Sequence, residues 1–319
     1  MKHNKKITIL LLSMFVLTPI IGLVVLNADV FTVDKIVNGT IEQVPNPYLS
    51  FISPPQVETA QESASMFGSL IIAFIFAICI FFLLTKFKIK FIFRLWFFVV
   101  VAIALFLSIL SFEKIIPISI NLNTAVIIGL AIALPLAFIK IYKRNFLIHN
   151  LTELFIYPGI AIVFVPILNI YTIIILLILI SLYDMWAVWH SGIMQKMATY
   201  QIDKLNIFSG FFVPYANKKT KEKIKSMKQK FSKKELRKKK IKINLAILGG
   251  GDIVFPIITA GVLLNAYGFL PAILAIVGAT LGLTLLFIFS EKKKFYPAMP
   301  FITAGIFLGM LASLIIHYL

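Results

Sequence analysis

Two acids stand where acids are costly. Asp252 follows three glycines in Leu248-Gly249-Gly250-Gly251-Asp252, and Asp184 sits in Leu182-Tyr183-Asp184-Met185. Both lie inside long apolar stretches. A carboxylate at bilayer depth costs roughly 3 kcal/mol or more, so intramembrane acids are rare and usually functional. Three glycines in a row remove side-chain bulk and let a second backbone, or water, come close to Asp252. A third acid in an apolar run, Glu153, lies near His149 and reads as an interfacial or packing-satisfied group.

Two carboxyl groups brought together cannot both ionise cheaply, so they share a proton. The deprotonated member can take a proton from a water molecule while the protonated one donates to a carbonyl oxygen. Water then adds to a peptide carbon and a tetrahedral diol forms and collapses. Such chemistry calls for no metal, nucleophilic serine or cofactor. The same two acids could instead form a proton or cation relay in a channel or transporter. They could also be buried acids satisfied by a neighbour such as Tyr183, in an inactive scaffold that binds membrane helices. Spacing alone leaves all three open.

The elements that carry these acids follow from composition. The chain has 319 residues, 60% apolar, with 30 Phe, against 45–50% apolar in soluble domains. Apolar runs of about 20 residues recur along its length, which indicates a polytopic membrane protein. Uninterrupted runs select helices over a barrel. The expected fold class is an all-α membrane protein of nine transmembrane helices, an integral protein of the cell membrane. The spans are expected at 7–26, 66–84, 91–111, 117–139, 146–168, 170–189, 243–265, 269–290 and 297–318. The first is read as a retained span rather than a cleaved leader. Three units result: a six-span bundle over 1–189 bearing the first acid, a basic loop over 190–242, and a three-span unit over 243–319.

Charge sets the expected orientation. With the N-terminus cytoplasmic, every Lys and Arg except Lys35 and Lys114 falls on the inner side, and the odd number of spans leaves the C-terminus outside. The lysine-dense segment 218–242 joins two spans on that face. It therefore reads as a solvated loop attracted to anionic lipid and not as a nucleic-acid site. The single Cys79 allows no intrachain disulfide, and the four scattered histidines suggest no zinc site. Asp184 precedes the first inner lysine, Lys196, by twelve residues, and Asp252 follows the last, Lys242, by ten. At helical rise these are about 18 and 15 Å from the inner flank. Consecutive spans tend to be neighbours, so two acids at matching depth could meet.

Helper residues surround the pair. Tyr296-Pro297-Ala298-Met299-Pro300 opens the ninth span. The prolines suit a helix start. They also suit a non-helical segment lining a cavity, where an extended substrate could add as a strand. Gly278-x3-Gly282 and Gly305-x3-Gly309 read as helix-packing pairs. Asn38-Gly39-Thr40 is a glycosylation sequon on the outer loop.

Tyr183-Asp184, Gly249-x-Gly251-Asp252 and Pro297-Ala298-Met299-Pro300, in this order and at these span positions, resemble the presenilin and signal peptide peptidase proteases. These are the GxGD intramembrane aspartyl proteases, and among them the chain looks most like the archaeal presenilin homologues. The resemblance implies Asp184 and Asp252 as catalytic aspartates. It implies support from Tyr183, Gly249, Gly250 and Gly251, and substrate positioning by Pro297, Ala298, Met299 and Pro300. Met299 stands where the family usually has leucine, a volume-conserving change. Prepilin-type peptidases commonly carry a lysine two residues after the acid, and here that position is Val254. The implied partners are membrane-spanning proteins or peptides as substrates. No cofactor or nucleic acid is implied, and homo-oligomerisation is left open.

Overall fold

The structure is a computed structural model, described here for residues 5–37, 40–55, 59–86, 90–116, 121–143, 145–191, 209–215, 244–291 and 296–318. Nine long helices dominate the described residues: α1 (Lys5–Leu26), α2 (Ala60–Lys86), α3 (Lys90–Ile115), α4 (Leu122–Tyr142), α5 (Phe146–Phe164), α6 (Ile170–Trp186), α7 (Gly250–Tyr267), α8 (Phe269–Phe289) and α9 (Met299–Tyr318). Eight of them are long and apolar enough to cross a membrane, and in α2 the segment Ala64–Ala77 is an apolar helix of shorter length. Asparagines start three of the central helices. Asn121 and Asn145 cap α4 and α5, and Asn169 closes a capping box with Thr172 at α6. Each side-chain oxygen accepts an otherwise orphaned N–H, which matters most where lipid offers no substitute.

Two apolar clusters share α5. One joins α3, α4 and α5 with the end of α1 and the loop after it; the other joins α1, α5, α6 and α7 to α9. The helix crossings are close. A side chain at Gly159 of α5 would strike the backbone of Ala104 on α3. Gly278 and Gly282 of α8 lie against the backbone of Gly305 and Phe301 on α9, while Gly305 and Gly309 lie against Gly278 and Leu274. Both expected small-residue pairs are therefore the two halves of one interface.

Strands interrupt the expected all-helical plan. The connection between α1 and α2 holds a hairpin of β1 (Thr32–Val37) and β2 (Thr40–Pro45), antiparallel with Val37 opposite Thr40. The sequon residues Asn38 and Gly39 lie outside the described residues. Lys114 Nζ donates to the carbonyls of Asp29 and Thr32, and Tyr48 Oη donates to Asn123, tying this loop to α3 and α4. Most of the basic segment, 192–208 and 216–243, is also outside the described residues. Between those stretches lies β3 (Gly210–Tyr215), antiparallel to β4 (Asn244–Gly249), with Gly210 opposite Gly249 and Phe212 opposite Ile247.

This sheet changes the expected seventh span. A helix was expected from Ile243, but 244–249 is extended and the helix begins at Gly250. Burial alternates as in a strand, with Ala246 and Leu248 buried and Leu245 and Ile247 exposed. Phe211 and Val213 of β3 are likewise buried, so an apolar island within the basic loop belongs to the core. The extended approach also means that the helical rise assumed between Lys242 and Asp252 does not apply over 244–249, where a strand advances about 3.3 Å per residue.

Candidate active site

Asp252 is the third residue of α7, whose N-cap is Gly249 in extended conformation (φ −65°, ψ 148°). From that position its carboxylate turns back toward the N-cap and lies beside Gly249. This is the reach of an acidic N3 residue over a helix start. A side chain at 249 would stand 3.2 Å from Asp252 Oδ2, so the first glycine leaves that carboxylate its place. The second glycine is tighter. A Cβ on Gly250 would meet Ser209 Oγ at 2.7 Å and Tyr157 Oη at 2.8 Å. The third is open: at Gly251 the nearest atom is Phe255 Cε2, 3.9 Å away.

Asp184 reaches the site from the last turn of α6. It is 4% exposed. Its Oδ2 accepts from Met299 N at 3.0 Å, so it satisfies one orphan donor at the start of α9. Its Oδ1 is buried with no protein hydrogen-bond partner among the described residues. α6 packs against both α7 and α9, the helices that carry Asp252 and Met299. Ser181, almost one turn before Asp184, donates to Thr303 Oγ1 at 2.8 Å. That bond fixes α6 to α9 on the face that carries the acid.

The remaining expected residues divide. Pro297 and Ala298 precede α9 without helical structure, while Met299 and Pro300 open it. Pro297 and Met299 are buried, and the Met299 N–H faces Asp184. Tyr183 points elsewhere: its side chain is half exposed, with its ring 6.3 Å from that of Trp186. About 100° of helical rotation separates it from its neighbour Asp184. Sequence reasoning missed Tyr157. It is buried on α5, its hydroxyl lies against Gly250, and its ring sits edge-on to Phe211 of β3 at 6.1 Å.

The three glycines predict a graded response. Gly250→Ala drives a methyl into Tyr157 and Ser209 and lowers the melting temperature by the equivalent of about 1–3 kcal/mol. Gly251→Ala meets open space and melts within a few degrees of the parent. Thermal unfolding of the two variants in detergent checks the order, and equal losses would contradict this packing.

Comparisons with known proteins fall in one direction. A family model described as signal-peptide peptidase, presenilin aspartyl protease matches residues 49–318. Two solved structures of a presenilin family intramembrane aspartate protease share the fold. One, in space group C222, has a TM-score of 0.58 at 15% identity and covers 97% of this chain and 99% of its own. The other, in space group P2, has a TM-score of 0.58 at 16% identity and covers 96% of each chain. A search of curated proteins finds no match. The family match covers most of the chain, and the fold agrees. The chain therefore belongs to the signal-peptide peptidase, presenilin aspartyl protease family, and is a multi-pass intramembrane aspartyl protease.

Proposed function

We propose that Asp184 and Asp252 are the catalytic pair, and that they cleave transmembrane helices of other proteins within the bilayer. The observation that carries this is that Asp184 is held at the start of α9 by the Met299 N–H, on a helix that also packs against α7, whose first turn bears Asp252. One carboxylate takes a proton from water, and the water oxygen bonds to the peptide carbon. The other carboxyl gives its proton to the carbonyl oxygen. The resulting diol collapses, the C–N bond breaks, and the amine leaves with a proton from the pair.

A helical peptide hides its carbonyls in its own hydrogen bonds, so the substrate must be extended where it is cut. Two features support strand addition. Residues 296–298 are non-helical beside Asp184, and β4 is paired on one side by β3 with no further strand beside it among the described residues. In this reading Pro297, Ala298, Met299 and Pro300 position the extended chain. Gly249 and Gly251 leave it room, Gly250 admits Tyr157, and Tyr183 lends support from the outer face of α6. Nine spans, with the N-terminus cytoplasmic and the C-terminus outside, place the basic segment 190–242 against anionic lipid on the inner face. Homo-oligomerisation is compatible with this arrangement.

The test is cleavage of a single-span substrate by the purified protein in detergent, with products located by mass spectrometry. Cuts fall inside the span and are blocked by a hydroxyl-bearing mimic of the diol. Gly251→Ala, although stable, slows the reaction about tenfold or more by narrowing the approach. Cuts confined to residues outside the span, or indifference to the mimic, would overturn the assignment.

A further inference from the structure

Three ionisable side chains lie buried at one end of α4 and α5, and the reaction above uses none of them. Lys140 Nζ is 2.6 Å from Glu153 Oε1, with side chains 4% and 1% exposed. His149 completes the group: its Nδ1 is 3.3 Å from Lys140 Nζ and its Nε2 is 3.3 Å from Glu153 Oε1. A buried ion pair seldom adds net stability over an apolar pair of the same size, so the stability of the bundle does not account for it.

The group converges on one residue. Gly210 N donates to Glu153 Oε1 at 3.3 Å, and Gly210 O lies 2.9 Å from His149 Nε2. With a hydrogen on Nε2, His149 donates to that carbonyl while its Nδ1 accepts from Lys140. Gly210 has φ 133°, a conformation that favours glycine, so the strand enters at this point and no other residue fits it easily. Two residues on, Asn150 continues the same edge. Its Nδ2 donates to Phe212 O at 2.9 Å, and its Oδ1 accepts from Phe212 N at 3.2 Å.

α5 therefore stands in for a third strand along β3. The backbone polar groups of Gly210 and Phe212 face α5, so those of Phe211 and Val213 face β4. Across the sheet Gly210 is opposite Gly249, the residue against which the Asp252 carboxylate rests. One helical turn beyond Glu153 on α5, Tyr157 abuts Gly250. His149, Glu153 and Tyr157 fall at intervals of four, one stripe of one helix, the first two touching Gly210 and the third Gly250.

We propose that Lys140, Glu153 and His149 position Asp252: they anchor β3 at Gly210 and, through the Gly210–Gly249 pairing, set the depth and angle at which the Asp252 helix starts. The activity part of this proposal rests on the catalytic reading of Asp252; the anchoring part does not.

The test uses the full chain in detergent. Lys140→Met with Glu153→Gln removes both buried charges together, which keeps the fold where a single change would strand the other charge. Hydrogen exchange is followed by mass spectrometry over 209–215 and 244–252, with α8 and α9 as internal reference. Exchange of both strands rises about tenfold or more in the double variant while α8 and α9 hold. In parallel, kcat falls about 10- to 100-fold with KM within about threefold. His149→Leu shows the same pattern, and His149→Gln, which keeps a donor for Gly210 O, recovers part of the loss. Unchanged strand exchange in the double variant would overturn the anchor, and raised exchange with intact kcat would overturn its link to Asp252. Failure of the catalytic reading shows separately, as cleavage that persists in Asp252→Asn.

Discussion

Asp184→Asn and Asp252→Asn each bring cleavage of a single-span substrate to background, a loss of about 10³-fold or more. Asparagine nearly matches aspartate in size and keeps a carbonyl oxygen, so the static contacts survive. In Asp184→Asn that oxygen can still accept from the Met299 N–H, which the native carboxylate does at 3.0 Å. In Asp252→Asn it can still lie beside Gly249. What disappears is proton exchange with water and substrate, because an amide neither takes nor gives a proton near neutral pH. Melting temperatures therefore stay close to the parent while turnover ends. Both groups are needed in one step, so the double variant is no worse than either single one. The hydroxyl-bearing inhibitor also loses its site in the double variant. The measurement is product formed per hour for the parent and three variants at equal folded concentration. Full cleavage by either single variant would remove that residue from the reaction.

The two acids were legible because charge inside an apolar run is costly and therefore conspicuous. Their partners were not, because they are ordinary residues in ordinary places. Tyr157 reads as one more aromatic in a chain with 30 Phe and 10 Tyr, and only the fold puts its hydroxyl against Gly250. Lys140 was read as one of the inner-face cations, yet it is buried against Glu153. Glu153 itself was correctly expected to be satisfied. The strands were missed for two reasons. Phe211-Phe212-Val213 is a short apolar island in a lysine-rich stretch, and charge density overruled it. Leu245 to Leu248 continues into an apolar helix without a polar break, so an apolar run gave no sign of where strand turns to helix; the three glycines after it are that sign. The matched depths of Asp184 and Asp252 were reckoned at helical rise, although part of the approach is extended. The glycine pairs of α8 and α9 were plain, because small residues four apart have one common use in a bilayer.

That glycine interface carries the second large effect. Gly278→Ala and Gly305→Ala each place a methyl inside the van der Waals shell of the facing helix, Gly278 against the Gly305 carbonyl and Gly305 against the Gly278 carbonyl. The obstacle is backbone on both sides, with no flexible side-chain end to move aside, so the helices must part. Without an apolar driving force between helices in lipid, their association depends on such close packing. The expected loss is about 1–3 kcal/mol for each substitution, read as a lower melting temperature in detergent. Activity suffers as well. α9 begins at Met299, whose N–H holds Asp184, and carries Thr303, which accepts from Ser181. A shift of α9 by about 1 Å moves the carboxylate with it and costs about 100-fold in kcat. The double variant is less than additive, since one separation relieves both clashes. Gly68→Ala on α2 is the control: nothing lies within 4 Å of its added methyl, and both stability and turnover hold. If Gly278→Ala melts and cleaves like Gly68→Ala, α8 and α9 do not meet backbone to backbone, and Asp184 must be positioned by something other than the start of α9.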